Sequence, residues 1–123
     1  MLTQSIGQTD GLSVTFASEG ESSRLAPERE LAIYRIVQEA LNNVVKHARA
    51  KQVQVKLNYA HTLLVLISDD GVGFEMPDRA DTLTELGHFG LIGMRERAEL
   101  IGASLTIRSA PSQGTQIELQ MPI

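Results

Sequence analysis

The spacing of apolar and polar positions predicts two helices. From about residue 28 to residue 48, apolar side chains recur every three or four positions, which indicates a long amphipathic helix. Pro27 immediately before this segment favours a helix start there, because proline suits the first helical turn. A second, shorter helix is predicted from Leu91 to Ile101, with Gly102 as its C-cap. The apolar positions of the first helix are Leu31, Tyr34, Val37, Leu41, Val44, Val45 and Ala48.

Alternation of apolar and polar residues predicts strands over residues 12–16, 53–59, 105–107 and 115–121. The run from Leu63 to Ile67 is apolar without interruption, which predicts a central strand covered on both faces. The predicted order is strand, helix, strand, strand, loop, helix, strand, strand. This order favours an α/β two-layer sandwich, in which a mixed, mostly antiparallel sheet carries helices on one face.

Length, charge and composition narrow the possibilities. A chain of 123 residues predicts a single domain, residues 1–123. Within it, we expect residues 1–10 to be the tail of an upstream linker. We also expect a turn at residues 9–11. The net charge of −4 argues against a nucleic-acid partner, and the absence of cysteine excludes disulfides and thiolate metal sites. No apolar run approaches the roughly 18 residues of a membrane span, so we expect no membrane span within this chain.

Polar residues late in the first predicted helix form the first candidate site. Glu39 and Asn43 are four residues apart and therefore share one helical face, flanked by Asn42, Lys46 and His47. Oxygen ligands suit Mg²⁺, and a lysine suits phosphate. The alternative is a solvated polar face, but asparagine is a poor helix former and its repetition here favours a function.

Residues 69–73, which follow the apolar strand, form a second candidate. The carboxylate of Asp69 can accept a hydrogen bond from an exocyclic amine such as that of adenine. Gly71 and Gly73 allow a flat ligand to approach the backbone closely. The alternative is an ordinary Asp-Gly turn that leaves the strand.

Two further glycine-containing segments carry candidate chemistry. Gly87, Gly90 and Gly93 lie before and within the second helix, where free N–H groups and the helix dipole favour an anion. A flexible hinge is the alternative. Gly114 and Thr115 open the last strand, and the threonine hydroxyl could bond a ligand base directly or through water. The alternative is a hairpin turn. No Gly-Lys dipeptide occurs, which excludes a P-loop.

Together these segments resemble the catalytic and ATP-binding domain of sensor histidine kinases, in the ATPase superfamily of gyrases, Hsp90 chaperones, histidine kinases and MutL. Residues 39–47 resemble the N box, residues 69–73 and 87–93 resemble the two glycine boxes, and residues 114–115 resemble the last glycine-threonine motif. The amino-acid sequence around the N box and the second glycine box is similar to that of the nitrate/nitrite-sensor subclass. The resemblance covers roughly residues 10–123.

The resemblance implies the Bergerat ATP-binding fold, with ATP and Mg²⁺ as ligands. It assigns Asn43 and Glu39 to the metal and Lys46 to phosphate, and it makes these three the catalytic residues. It places His47 beside the ribose or the base, and it makes residues 75–89 the ATP lid. Wrapping of the phosphates is assigned to Gly87, Gly90 and Gly93.

For the base, the resemblance assigns Asp69 to the adenine amino group. Gly71 and Gly73 would make room for the ring, and Thr115 would support Asp69. These assignments describe a nucleotide held between a helix and the end of a neighbouring strand.

The resemblance also implies partners. Members of this kinase family donate the γ-phosphoryl group of ATP to a histidine on a dimerisation domain. Their usual partners are response regulators with a helix-turn-helix DNA-binding output domain. None of His47, His61 and His88 heads an amphipathic dimerisation helix, so we expect a fragment of a longer kinase whose acceptor domain lies outside this chain. The alternatives are a non-catalytic nucleotide-sensing module and a serine kinase of the anti-sigma type.

Overall fold

The computed structural model describes residues 2–9, 12–20, 25–45, 49–73 and 89–123. Six strands and two helices lie in these ranges, in the predicted alternation except for one additional strand at the start. The elements are β1 (Leu2–Thr9), β2 (Leu12–Glu19), α1 (Pro27–Asn43), β3 (Gln52–Tyr59), β4 (Thr62–Asp69), α2 (Phe89–Leu100), β5 (Ser104–Ser109) and β6 (Thr115–Pro122).

The strands form one six-stranded sheet in the order β1-β2-β3-β4-β6-β5. β2 and β3 pair in parallel, with α1 as the crossover between them, and the other neighbouring pairs are antiparallel. Both helices contribute to one hydrophobic core and pack against each other. The prediction of a two-layer sandwich with a mixed, mostly antiparallel sheet is therefore confirmed.

The element order predicted from the sequence was wrong at its start. Residues 2–9, which lack apolar alternation, form β1 and pair with β2 from Leu2↔Glu19 to Thr9↔Leu12. Backbone hydrogen bonding in a sheet needs no apolar pattern, so an edge strand of this kind leaves little trace in the sequence. β2 extends beyond the predicted residues 12–16 because it has a partner on each side. The predicted turn at residues 9–11 lies largely outside the described residues.

β4 is a central strand, but its two faces differ. Leu63, Val65 and Ile67 are buried, whereas Leu64 and Leu66 remain partly exposed. The prediction that this run is covered on both faces is therefore wrong. The cause is the two-layer architecture, since the two described helices form a single layer and pack on one side of the sheet.

The predicted helix over residues 28–48 is confirmed as α1, and part of the apolar repeat that predicted it is buried. Val44 is buried, and Val37 and Leu41 pack against the core, whereas Leu31 and Tyr34 are 51% and 62% exposed. The core also takes Ile33, Ile36 and Ala40, so the repeat establishes the helix without deciding which of its apolar residues face the sheet. Residues 44–45 continue α1 in π-helical conformation, and residues 46–48 lie outside the described part of the chain.

The direction of α1 follows from a contact at its start. Nη1 of Arg29 donates to the carbonyl oxygen of Pro122, the last residue of β6, at 3.3 Å. The 17 residues of α1 span about 25 Å, close to the length of an eight-residue strand. Asn43 therefore lies toward the opposite end of the sheet, where Thr115 pairs with Asp69. We call this region the Asp69 end of the sheet.

The C-terminus of α2 is closed by a Schellman motif. Gly102 has a φ of +75°, and its N–H bonds the carbonyl of Glu99 at 3.1 Å. The N–H of Ala103 bonds the carbonyl of Ala98 at 2.8 Å. The prediction of Gly102 as the C-cap is confirmed.

Gly102, which follows α2, and Gly93, which lies within it, provide a matched test of this cap. A Cβ at either Gly102 or Gly93 would meet nothing within 4 Å, so the substitutions differ in backbone conformation alone. We expect Gly102→Ala to lower the free energy of unfolding by about 1–2 kcal/mol, since alanine is disfavoured at positive φ. We expect Gly93→Ala in the helix interior to raise it by about 0.5–1 kcal/mol. Urea denaturation measures both, and equal effects would contradict the motif.

Candidate functional site

The carboxylate of Asp69 ends β4 and is held by the backbone that follows it. Its Oδ1 accepts a hydrogen bond from the N–H of Gly71 at 2.8 Å. Burial raises the pKa of this carboxyl above its ordinary value, and the nearby charge of Asp70 raises it further. The backbone N–H groups of Gly71 and Thr115 act in the opposite direction without cancelling the effect. Asp69 is therefore a partly buried, oriented hydrogen-bond acceptor.

Three polar side chains form a row across β4, β6 and β5 at this end. Asp69 pairs with Thr115, and Thr115 pairs with Ser109. Residues directly opposite each other in an antiparallel ladder share a face, here the same face as the buried Ile117. The Oγ of Ser109 lies 2.9 Å from Oγ1 of Thr115. These side chains also line a cavity of about 290 Å³ whose walls come from β4, β5, β6 and the β5–β6 turn.

The glycines around Asp69 are required by neighbouring backbone. Gly114 has a φ of +73°, and a Cβ there would overlap the carbonyl oxygen of Asp69. Gly73 has a φ of +65°, and a Cβ there would overlap the carbonyl oxygen of Ala110. The loop after β4 and the β5–β6 turn therefore pack against each other through their backbones. This arrangement fixes the position of Asp69 relative to Thr115.

Asp70, the residue after Asp69, has a structural role. Its Oδ1 accepts hydrogen bonds from the N–H groups of Lys51 and Gln52 at 2.8 and 2.9 Å. Its own N–H donates to the carbonyl of Gln52 at 3.2 Å. The hydrogen bond from Gln52 is the main reason that the pKa of Asp70 lies below its ordinary value. Asp70 thereby joins the end of β4 to the segment that follows α1, a role that no sequence motif indicated.

The two flanks of α1 face different parts of the sheet. On one flank, Tyr34 and Leu41 line a groove together with Leu12 and Val14 of β2. Glu39 and Asn43 lie on the opposite flank, about 140–180° round the helix from Tyr34 and Leu41. This second flank therefore faces away from the groove beside β2.

The course of α1 places Asn43 at the Asp69 end of the sheet, on the flank that faces away from the groove beside β2. Glu39 lies one helical turn further from this end, and both Glu39 and Asn43 are partly buried. Asn42, by contrast, is exposed and lines the groove on the β2 side.

α2 begins at the same end. β5 starts at Ser104, which pairs with Gln120 far from Thr115, so the preceding helix runs from the Asp69 end toward the other end. The first turn of α2 contains Gly90, and Gly93 follows in the next turn. A helix N-terminus offers unpaired N–H groups and the positive end of the helix dipole, which together favour an anion.

Part of the predicted site lies outside the described residues. This applies to Lys46, His47, Gly87 and the predicted lid over 75–89, except for Phe89, which begins α2. Within the described ranges, no group of three or more His, Cys, Asp or Glu side chains could hold a metal ion. The oxygen pair of Glu39 and Asn43 still fits Mg²⁺, because Mg²⁺ commonly takes one or two protein ligands together with substrate phosphates and water.

Comparison with known proteins assigns the class. Residues 28–123 match the family model described as histidine kinase-, DNA gyrase B-, and HSP90-like ATPase. The chain belongs to this family, and the resemblance stated from the motifs is confirmed.

Similar proteins within this ATPase family are histidine kinases. The chain is 40% identical over 114 residues to the signal transduction histidine-protein kinase/phosphatase DegS of Brevibacillus brevis, covering 92% of the chain and 28% of DegS. It is 38% identical to the oxygen sensor histidine kinase NreB of Staphylococcus carnosus, covering 92% of the chain and 32% of NreB. These matched relatives are sensor histidine kinases, and the chain spans about a third of their length or less. Within the described residues, neither helix is long and apolar enough to cross a membrane.

Solved structures agree with the fold. The histidine kinase domain of the Erythrobacter litoralis blue-light activated histidine kinase superposes with a TM-score of 0.64 and 25% identity, covering 89% of this chain and 53% of that one. The ATP-binding domain of PrrB from Mycobacterium tuberculosis superposes with a TM-score of 0.61 and 25% identity, covering 75% of this chain and 67% of that one.

The electrostatics of Asp69 predict an unusual pH dependence of stability. Because its pKa is raised in the folded state, its contribution to stability is greatest below the unfolded-state pKa of about 3.9 and declines as the pH rises through the folded-state value. We expect Asp69→Asn to increase the stability of the unliganded domain at pH 7 relative to the wild type, and to give a smaller difference near pH 4. Thermal melts across this range measure the difference.

Asp70→Asn is the matched control for this prediction. The pKa of Asp70 is lowered in the folded state, so its contribution is present at neutral pH and is lost as the pH falls. The same substitution one residue along should therefore destabilise the domain at pH 7. A wild type that is more stable than Asp69→Asn at pH 7 would contradict the interpretation that burial disfavours the charge of Asp69.

Proposed function

We propose that this domain binds Mg²⁺-ATP and donates the γ-phosphoryl group to a histidine on a dimerisation domain elsewhere in a sensor histidine kinase. The observation that carries this proposal is the convergence of Asp69, the Asn43 end of α1 and the N-terminus of α2 at one end of the sheet. Membership in the ATPase family supports the choice of nucleotide.

In this proposal Asp69 accepts a hydrogen bond from the adenine amino group, and Thr115 supports it from the neighbouring strand. The support for Asp69 is its orientation by the N–H of Gly71 and its partial burial, which strengthens a hydrogen bond by excluding water. Gly71 and Gly73 lie beside the base. For Gly73 the absence of a side chain also serves contact with the turn at Ala110.

Asn43, with Glu39 as a direct or water-mediated second ligand, holds Mg²⁺ between the phosphates. Lys46 contacts phosphate, and His47 lies beside the ribose or the base. Phosphoryl transfer depends mainly on positioning the phosphates and neutralising their charge, which such a set of groups can supply. The glycines proposed to wrap the phosphates near the start of α2 are Gly87, Gly90 and Gly93.

The partners are proposed from the relatives, which are about three times longer than this chain. We infer an acceptor-histidine dimerisation domain in the same kinase and, downstream, a response regulator with helix-turn-helix output. A cytoplasmic location accords with both partners. Neither a nucleic acid nor a direct membrane contact is required.

Binding is tested by titrating the domain with a non-hydrolysable ATP analogue with and without Mg²⁺. We expect a dissociation constant between about 1 µM and 1 mM. Asp69→Asn removes a charged acceptor and should weaken binding about tenfold to a hundredfold. Asn43→Asp should change the gain in affinity from Mg²⁺ by about tenfold.

Asn42→Asp is the matched control, because it adds the same charge on the flank that faces β2. It should leave the Mg²⁺ dependence unchanged. Equal Mg²⁺ effects at residues 42 and 43, or saturable binding that is indifferent to Asp69→Asn, would refute the proposed geometry.

Transfer is tested by supplying a separate dimerisation domain that bears an acceptor histidine, taken from a matched relative. We expect acid-labile phosphate on that domain, formed with wild-type protein and lost with Asp69→Asn. Acid-stable phosphate would instead indicate a serine kinase. Binding of ATP without any transfer would indicate a non-catalytic nucleotide-sensing module.

A further inference from the structure

Ser109 lies outside the motifs that define the site, yet its side chain contacts two of their members. It is the last residue of β5, directly opposite Thr115 in the ladder. Its Oγ lies 3.0 Å from the carbonyl oxygen of Gly114 and 2.9 Å from Oγ1 of Thr115. The three groups belong to the same cavity wall as Asp69.

Counting protons assigns the direction of these two bonds. A carbonyl oxygen can only accept, so the bond to Gly114 uses the single hydroxyl proton of Ser109. The 2.9 Å bond between the two hydroxyls then needs a proton from Thr115. With its proton directed at Ser109, Thr115 can offer only lone pairs to a ligand.

The wall therefore presents two acceptors side by side, the carboxylate of Asp69 and the hydroxyl oxygen of Thr115. A ring with an amino group at this place can donate to both, directly or through water. A ring with an oxo group there would bring a third acceptor against them, which is repulsive and leaves the two partly buried acceptors without a donor.

We propose that Ser109 is a specificity-determining residue that favours 6-aminopurine over 6-oxopurine nucleotides by fixing Thr115 as a hydrogen-bond acceptor. This inference rests on the proposed binding of the base at Asp69. Ser109 acts through Thr115 and is a positioning residue, without contact to the base.

The test compares ATP with inosine triphosphate, which carries an oxo group in place of the amino group. The full 123-residue chain is titrated with each nucleotide, and the ratio of dissociation constants is the readout. We expect the wild type to prefer ATP by about a hundredfold or more. Ser109→Ala frees the Thr115 hydroxyl to donate, and should reduce the ratio by about tenfold.

Three variants separate this role from a purely structural one. Ser109→Thr keeps the hydroxyl and should restore the wild-type ratio. Ser109→Cys, a weak donor and acceptor of similar volume, repeats the test if the alanine variant fails to fold. In a Thr115→Val background Ser109→Ala should no longer change the ratio, because the group through which it acts has been removed.

A reduced ratio with this pattern of rescue and dependence on Thr115 supports the inference. If Ser109→Ala leaves the ratio of dissociation constants unchanged and lowers stability, Ser109 only stabilises the β5–β6 turn, and the inference is overturned. A change that persists in the Thr115→Val background would overturn it as well. Failure of the wild type to bind either nucleotide would instead refute the proposed function on which the inference rests.

Discussion

The backbone contact between the loop after β4 and the β5–β6 turn determines the rest of the site. Gly73 and Gly114 adopt positive φ and approach the carbonyls of Ala110 and Asp69 more closely than any side chain would permit. Because both partners are backbone, this contact has little freedom to adjust. It fixes Asp69 against Thr115, and the chemistry proposed for the nucleotide base depends on that spacing.

The same end of the sheet is held to the segment that follows α1 by hydrogen bonds between one side chain and the backbone. Asp70 binds the N–H groups of Lys51 and Gln52, so the residue after Asp69 holds the start of β3. β3 follows α1 in the chain, and the Asn43 end of α1 lies at this end of the sheet. Neighbouring aspartates therefore have different functions: Asp69 presents an acceptor to the cavity, and Asp70 holds together the elements around it.

Asp69 illustrates the cost of such a site. Its partial burial raises its pKa, so the unliganded fold holds a carboxylate in an environment that disfavours the charge. A ligand donor at this position would supply the partner that the protein itself provides only in part. The stability of the empty domain and its capacity to bind a base are therefore opposed at this residue.

The sequence by itself determined the elements and the chemical types at the site. Periodicity predicted α1, α2, β2, β3, β5 and β6, and an uninterrupted apolar run predicted β4. The spacing of Glu39 and Asn43 placed them on one helical face, because these signals are local. It could not reveal β1, whose pairing needs no apolar pattern, or the exposed face of Leu64 and Leu66, which depends on how many layers cover the sheet. The contacts of Asp70 and Ser109 were likewise decided by tertiary structure, since only folding brings their partners within hydrogen-bonding distance.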